Sequence, residues 1–165
     1  MRRTLAPRGE TPVLPCWDRR DRISALSGIT LSPRRRLPGL YFHLLPDNTN
    51  ATAEHVVAGL RELKASCPRL TVVWDRSNLH SKSRLVRAFL RANPSVVVED
   101  FPAYAPTENP DEGVWGWTKY GRLANFAPRD TAELRERVSA ELTWLKEHPY
   151  FLYSFIEHTN LPLQC

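Results

Sequence analysis

Two carboxylates are the residues of this 165-residue chain best placed to do chemistry. Asp75 directly follows the apolar run LTVVW. A carboxylate in that position is costly to bury unless it meets a metal, a base or water, and the carboxyl ends of strands are where ligands gather in α/β sheets. An ordinary aspartate capping the next turn is the plainer alternative. Glu112 is the second candidate, with Asp111 beside it, in the first turn of a helix that Asn109-Pro110 should open. An acid there also complements the helix dipole. Glu112, Trp115, Gly116 and Lys119 recur at i, i+3, i+4 and i+7, so one helix face carries an acid, an indole and a cation. That face reads as the edge of a site rather than as core.

These groups need elements to hold them. Residues 22–31 (RISALSGITL) and 40–45 (LYFHLL) read as two strands, joined through SPRRRLPG as an antiparallel hairpin. Residues 52–66 switch to helical spacing, with Val56, Val57, Leu60 and Leu63 on one stripe. Residues 70–74 are expected to form a strand buried on both faces. A helix over 81–92 follows, with Leu85, Val86, Phe89 and Leu90 on its apolar face and Arg84, Arg87 and Arg91 opposite. Residues 96–98 start a third buried-type strand. Asp130-Thr131-Ala132-Glu133 resembles a capping box, opening a helix with Leu134, Val138, Leu142 and Leu145 on one side. Hairpin, helix, strand, helix, strand, helix, helix is the order of an α/β layered domain with a mixed sheet.

Composition sets the outer limits. A 42% hydrophobic content excludes a disordered tail, and 165 residues suffice for one domain with a core. No run approaches the length of a membrane span, and no apolar stretch follows the basic N-terminus, so neither a membrane protein nor a secreted one is expected. Cys16, Cys67 and Cys165 are odd in number, widely spaced and without a CxxC pair, which argues against a disulfide framework or a thiolate zinc site. Charge is regional. The first 36 positions hold nine arginines against three acids, a net of +6, and residues 61–91 hold eight basic residues against two acids, again +6. Residues 92–165 carry six basic residues against eleven acids, a net of −5. Two basic blocks beside an acidic remainder suit a protein lying along a polyanion.

Three stretches in order carry a family resemblance: RTLAPRGETPVL (3–14), VVWDRSNLH (72–80) and FPAYAPTENPDEGVWGWTK (101–119). They resemble the catalytic domain of bacterial insertion-sequence transposases of the mariner superfamily. The last matches the signature L-P-x-Y-[SA]-P-x-x-N-P-x-E-x-x-W-x-x-x-K at Pro102, Tyr104, Ala105, Pro106, Asn109, Pro110, Glu112, Trp115 and Lys119. The resemblance implies an RNase H-like α/β fold, a mixed sheet flanked by helices, and a carboxylate triad holding two divalent metals, Mg²⁺ or Mn²⁺. Asp75 matches the second carboxylate and Glu112 the third, and both are expected as catalytic metal ligands. His80, Asn109 and Trp115 are expected in support, while Arg76 departs from the asparagine common among relatives. Two metals about 3.5–4 Å apart would activate the attacking oxygen and relieve charge on the leaving one. DNA is the implied partner, met by Lys119, by Arg84, Arg87 and Arg91, and by Arg34, Arg35 and Arg36 at the hairpin tip. For these arginines phosphate contact and plain solvation are both open.

In the family the first aspartate lies on a strand upstream of the R-T-x-x-x-R-G-x-T-P stretch, which here begins at Arg3. Asp18 and Asp21 are poor substitutes because neither follows a buried apolar run. The expectation is one partial domain: an irregular lead-in at 1–21, a hairpin at 22–45 and an α/β portion at 52–165. It would lack the first, central strand and the N-terminal helix-turn-helix region. The inner edges of the neighbouring strands would then be open to another chain. Its function would be metal-dependent DNA cleavage and strand transfer in transposition of an insertion sequence, incomplete in this chain alone. The alternative is a non-catalytic DNA-binding or interfering remnant, or an inert relic. A homodimer or a complementing N-terminal fragment are the expected protein partners, and the bacterial cytoplasm, at the nucleoid, the expected location.

Overall fold

The computed structural model describes residues 7–10, 13, 22–32, 35–75, 77, 82–102 and 106–159, without the side chains of Arg35, Arg36 and Pro106. Its first elements are β1 (Ala25–Ser32) and β2 (Arg35–Leu44), an antiparallel pair in which Ser27 faces Phe42 and Ser32 faces Arg35. β2 begins five residues earlier than the sequence suggested. Arg35 and Arg36 therefore belong to the strand rather than to a loop at the tip. Pro38 sits inside β2, which the ladder tolerates because β2 is paired along one edge only among the described residues.

Helix α1 (Ala53–Ser66) follows, then β3 (Leu70–Trp74), α2 (Arg84–Ala92) and β4 (Val96–Asp100). β3 and β4 run parallel, Trp74 beside Asp100, and Phe101 N donates to Trp74 O at 2.8 Å. Each helix starts where its cap chemistry says it should. Thr52 N donates to His55 Nδ1 at 3.2 Å, and Ser83 Oγ accepts from Val86 N at 3.3 Å. That second cap starts α2 later than position 81. β3 is not buried on both faces as expected: Leu70, Val72 and Trp74 pack against α1 and α2, while Val73 stays 47% exposed. Among the described residues the two helices cover one side of this pair, so alternate side chains face outward. Leu85 is likewise 42% exposed rather than core, whereas Val86 and Phe89 are buried.

A short turn of 3₁₀ helix (Pro106–Glu108) leads into α3 (Asp111–Gly116), which continues as a π-helical turn (Trp117–Arg122). Helices α4 (Thr131–Glu147) and α5 (Pro149–Glu157) close the chain. Asp130 caps α4 by accepting from Glu133 N at 2.8 Å. Glu133 turns one residue further back than a capping box requires, accepting from Arg129 N at 2.6 Å. α5 was not expected as a separate helix. Pro149 at its first position, where the missing N–H costs nothing, is the signal that separates it from α4.

Two cores result. Leu40 of β2, Val114 of α3, Val138, Leu142 and Leu145 of α4 and Leu152 of α5 form one. Val56, Val57, Leu60, Val86, Phe89 and Val96 form the other, and Leu26 of β1 packs against it. The chain is α/β as expected, with both antiparallel and parallel strands. Among the described residues no strand joins the β1–β2 pair to the β3–β4 pair.

Candidate active site

Asp75 stands immediately after β3, exposed, with its Oδ1 accepting from Ser77 N at 3.2 Å. That bond is the turn-capping contact foreseen as the plain alternative, and it leaves the carboxylate at the sheet's carboxyl end. β4 ends at the same side because it runs parallel to β3. From there the chain leads through residues 101–110 to the first turn of α3. The topology thus sends the segment carrying Glu112 out from the sheet end that carries Asp75.

Glu112 is exposed at the start of α3, and its neighbour Asp111 is not. Asp111 Oδ2 accepts from Ser27 Oγ at 2.6 Å and from Trp115 Nε1 at 3.1 Å, while Trp115 Nε1 also donates to Ser27 Oγ at 2.9 Å. Asp111 Oδ1 is buried with no partner among the described residues. Burial pushes the Asp111 carboxyl above the usual carboxylate range, opposed by the bonds from Ser27 and Trp115, with the Glu112 charge adding to the rise. Asn109 Oδ1 accepts from Asp111 N at 3.1 Å, which fixes the turn before the helix. Asp111 thereby bolts α3 to β1, and the next residue along is turned outward.

Of the face predicted from spacing, Trp115 packs against the first core rather than standing clear of it, and Lys119 meets its ring. Lys119 Nζ lies 5.2 Å from the centre of the Trp115 ring, a cation over an indole four residues away. Glu112 also lines a pocket of about 430 Å³ between α3 and the end of α5. Ser27, Asp111 and the α5 residues were not singled out from the sequence. Only the i, i+4 spacing of Asp111 and Trp115 hinted at Asp111, and nothing in the sequence placed Ser27 or α5 beside this turn.

Asp75 and Glu112 fit a divalent cation in kind. Both are exposed carboxylates, and Mg²⁺ takes one or two such groups together with water and phosphate. Among the described residues no group of three or more His, Cys, Asp or Glu converges, so a three-carboxylate set is not assembled from them. Asp18, Asp21, Arg34, Arg76 and His80 lie outside the described residues, as do the side chains of Arg35 and Arg36.

Arg84, Arg87 and Arg91 are exposed along α2, opposite Val86 and Phe89. Arg61 and Lys64 of α1 line a groove of about 530 Å³ against the same helix. The α2 wall of that groove is Leu85, Ala88, Phe89 and Ala92, and none of the three arginines lines it. No helix among the described residues is long and apolar enough to cross a membrane.

Comparison with known proteins agrees with this architecture. Residues 1–135 match the family described as DDE superfamily endonuclease. The Mos1 transposase catalytic domain, solved with raltegravir and Mg, is 16% identical, with a TM-score of 0.51 over 82% of this chain and 81% of that one. The Mos1 transposase paired-end complex with left transposon end is 15% identical, with a TM-score of 0.50 over 83% of this chain. The match covers 53% of the chain in that complex. None of the curated proteins compared matches. These likenesses establish an RNase H-like fold, and the match over 1–135 establishes that the chain belongs to the DDE superfamily endonucleases.

Proposed function

We propose that this chain is a transposase catalytic domain for metal-dependent DNA cleavage and strand transfer, that Asp75 and Glu112 are two of the carboxylates that hold its Mg²⁺ or Mn²⁺, and that the chain alone is incomplete until the first carboxylate of the triad is supplied. The observation that carries the reading is the contrast at the start of α3. Asp111 is half-buried and bonded into the fold, while Glu112 is left exposed beside it, on the segment that departs from the sheet end bearing Asp75. A bound pair of such cations supplies activation of the attacking oxygen and relief of charge on the leaving one. The side chains do the rest. Lys119, held against Trp115, keeps a positive charge on the Glu112 face for a backbone phosphate. Arg84, Arg87 and Arg91 take further phosphates along α2, and Arg34, Arg35 and Arg36 are proposed to do the same near the hairpin tip. Asn109 and Trp115, both bonded to Asp111, fix the first turn of α3 from which Glu112 projects, and His80 is assigned a supporting place after Asp75.

The resemblance to bacterial insertion-sequence transposases supports the bacterial cytoplasm, on the nucleoid, as the proposed setting. The edges of β1 and β3 that carry no ladder among the described residues are where a second copy, or a complementing N-terminal segment, would add a strand.

Incubating the chain with supercoiled DNA and MgCl₂ or MnCl₂ tests the reading. Metal-dependent nicking is expected only when an N-terminal segment bearing the first carboxylate is added, and is expected to be lost in both Asp75→Asn and Glu112→Gln. Salt-sensitive DNA binding with no metal-dependent nicking even then would replace the reading with a non-catalytic DNA-binding role.

A further inference from the structure

Two surfaces of the molecule lie outside the catalytic and phosphate-binding roles. The first is the groove of about 530 Å³ between α1 and α2. Val57 and Phe89 form its buried floor, and Ala65, Ala88 and Ala92 stand exposed at its mouth, where longer side chains would close it over. Arg61 and Lys64 line its α1 side. Among the described residues neither has a carboxylate partner, and Lys64 donates to the neutral Asn93 Oδ1. An apolar floor beside two unopposed cations suits an occupant that is both apolar and acidic.

The second surface is the outer side of α5. Leu152 and Ile156 are buried, while Tyr150, 78% exposed, stands out with Phe151 and Tyr153 on the side that the core leaves bare. Phe151 is held against Trp144, ring centres 5.1 Å apart. Tyr150 and Tyr153 meet no ring among the described residues. Tyr150, Tyr153 and Glu157 recur at i, i+3 and i+7, so one face of the helix carries two phenols and an exposed acid. Glu157 has no cationic partner among the described residues. Aromatic side chains grouped at the surface in this way mark a protein-binding face.

We infer that these two surfaces meet between copies: the Tyr150 face of α5 in one copy of this chain docks in the α1–α2 groove of a second. Shape and charge both favour the match. A phenol is a rigid, largely apolar knob, and the groove is an open apolar hollow of the size to take it. Glu157 brings the acid that Arg61 and Lys64 lack. The same complementarity holds for the halves of the chain, since residues 61–91 carry a net +6 and residues 92–165 a net −5. The contact joins two different patches, so it is heterologous. Arg84, Arg87 and Arg91 do not line the groove and stay open to phosphate. The contact is separate from the strand edges of β1 and β3, and it does not depend on Asp75 or Glu112.

Sedimentation velocity of the full chain, in reducing buffer without DNA, tests the inference. The parent chain is expected to associate reversibly. Tyr150→Ser removes the knob and Ala88→Arg fills the groove, and each is expected to weaken association about tenfold or more. Mixed in equal amounts, the two variants are expected to form a one-to-one dimer, because the first keeps its groove and the second keeps its tyrosine. Circular dichroism checks that the helices persist, and Arg61→Glu serves as a second groove variant. A mixture that stays monomeric overturns the inference. Association that survives the single variants overturns it in favour of the strand edges, and a parent chain that is monomeric at every soluble concentration overturns it in favour of a different protein in the groove.

Discussion

At the scale of single residues, the difference between Asp111 and Glu112 decides the account. Adjacent acids in a helix's first turn look alike in sequence, because both complement the dipole. Packing separates them. Ser27 comes from a strand 84 positions away, and long-range contacts of that kind leave no local pattern. Glu112 is singled out in sequence by a local pattern, its spacing to Trp115 and Lys119, and its exposure is what the structure adds. The bond network makes a direct prediction. Ser27→Ala leaves the buried Asp111 carboxylate with Trp115 as its one side-chain donor among the described residues, and should cost about 1–3 kcal/mol in urea unfolding. Adding Asp111→Asn removes the charge that needed the donor, so the double variant should recover part of that loss. A double variant that is simply the sum of the singles would show that the two side chains do not act together.

At the scale of elements, what the sequence reveals depends on whether the signal lies inside one element. The stripe of α1 and the cap of α4 are each contained in a few residues, and both are where periodicity puts them. β3 is read less well, because an apolar run says nothing about how many helices cover it, and Val73 faces outward. The join between α4 and α5 needed Pro149 to be taken as a start rather than an interruption. Two ion pairs tie α4 to its surroundings. Glu141, 4% exposed, accepts from Arg122 Nε at 2.9 Å and pairs with Arg137 Nη2 at 3.1 Å, so it fastens the π-helical turn to α4. Glu141→Ala should destabilise by about 1.5–3 kcal/mol, the range for a charge-assisted bond, as read by thermal melting. Arg135 reaches across to Asp47 at 2.5 Å and also to Leu45 O. Its hydrogen bond holds the Asp47 carboxyl below the usual aspartate range. A depressed value stabilises the fold above the unfolded group's value of 3.8 and ceases to do so as pH falls through the folded value. The stability gap between the parent chain and Asp47→Asn should therefore be present at about pH 6 and close in acid below 3.8. A gap that does not change with pH would remove Asp47 from the linkage.

At the scale of the whole molecule, the proposed contact with DNA depends on where the basic residues lie. Helices α1 and α2 lie on the core that also holds β3, so the helix proposed to meet phosphate and the strand that ends at Asp75 form one body. Replacing Arg84, Arg87 and Arg91 together with glutamine should weaken DNA binding and flatten its dependence on salt, by about 0.7–0.9 in log–log slope for each phosphate no longer neutralised. An unchanged slope would mean that these arginines are solvated surface. The central claim is that Asp75 and Glu112, far apart in sequence, act on shared cations. Isothermal titration of Mn²⁺ into the parent chain, Asp75→Asn, Glu112→Gln and the double variant tests it most directly. Shared ligation predicts that either single change removes most of the binding, and that the double variant loses little more than the worse single. Separate, additive losses for the two substitutions would contradict the account.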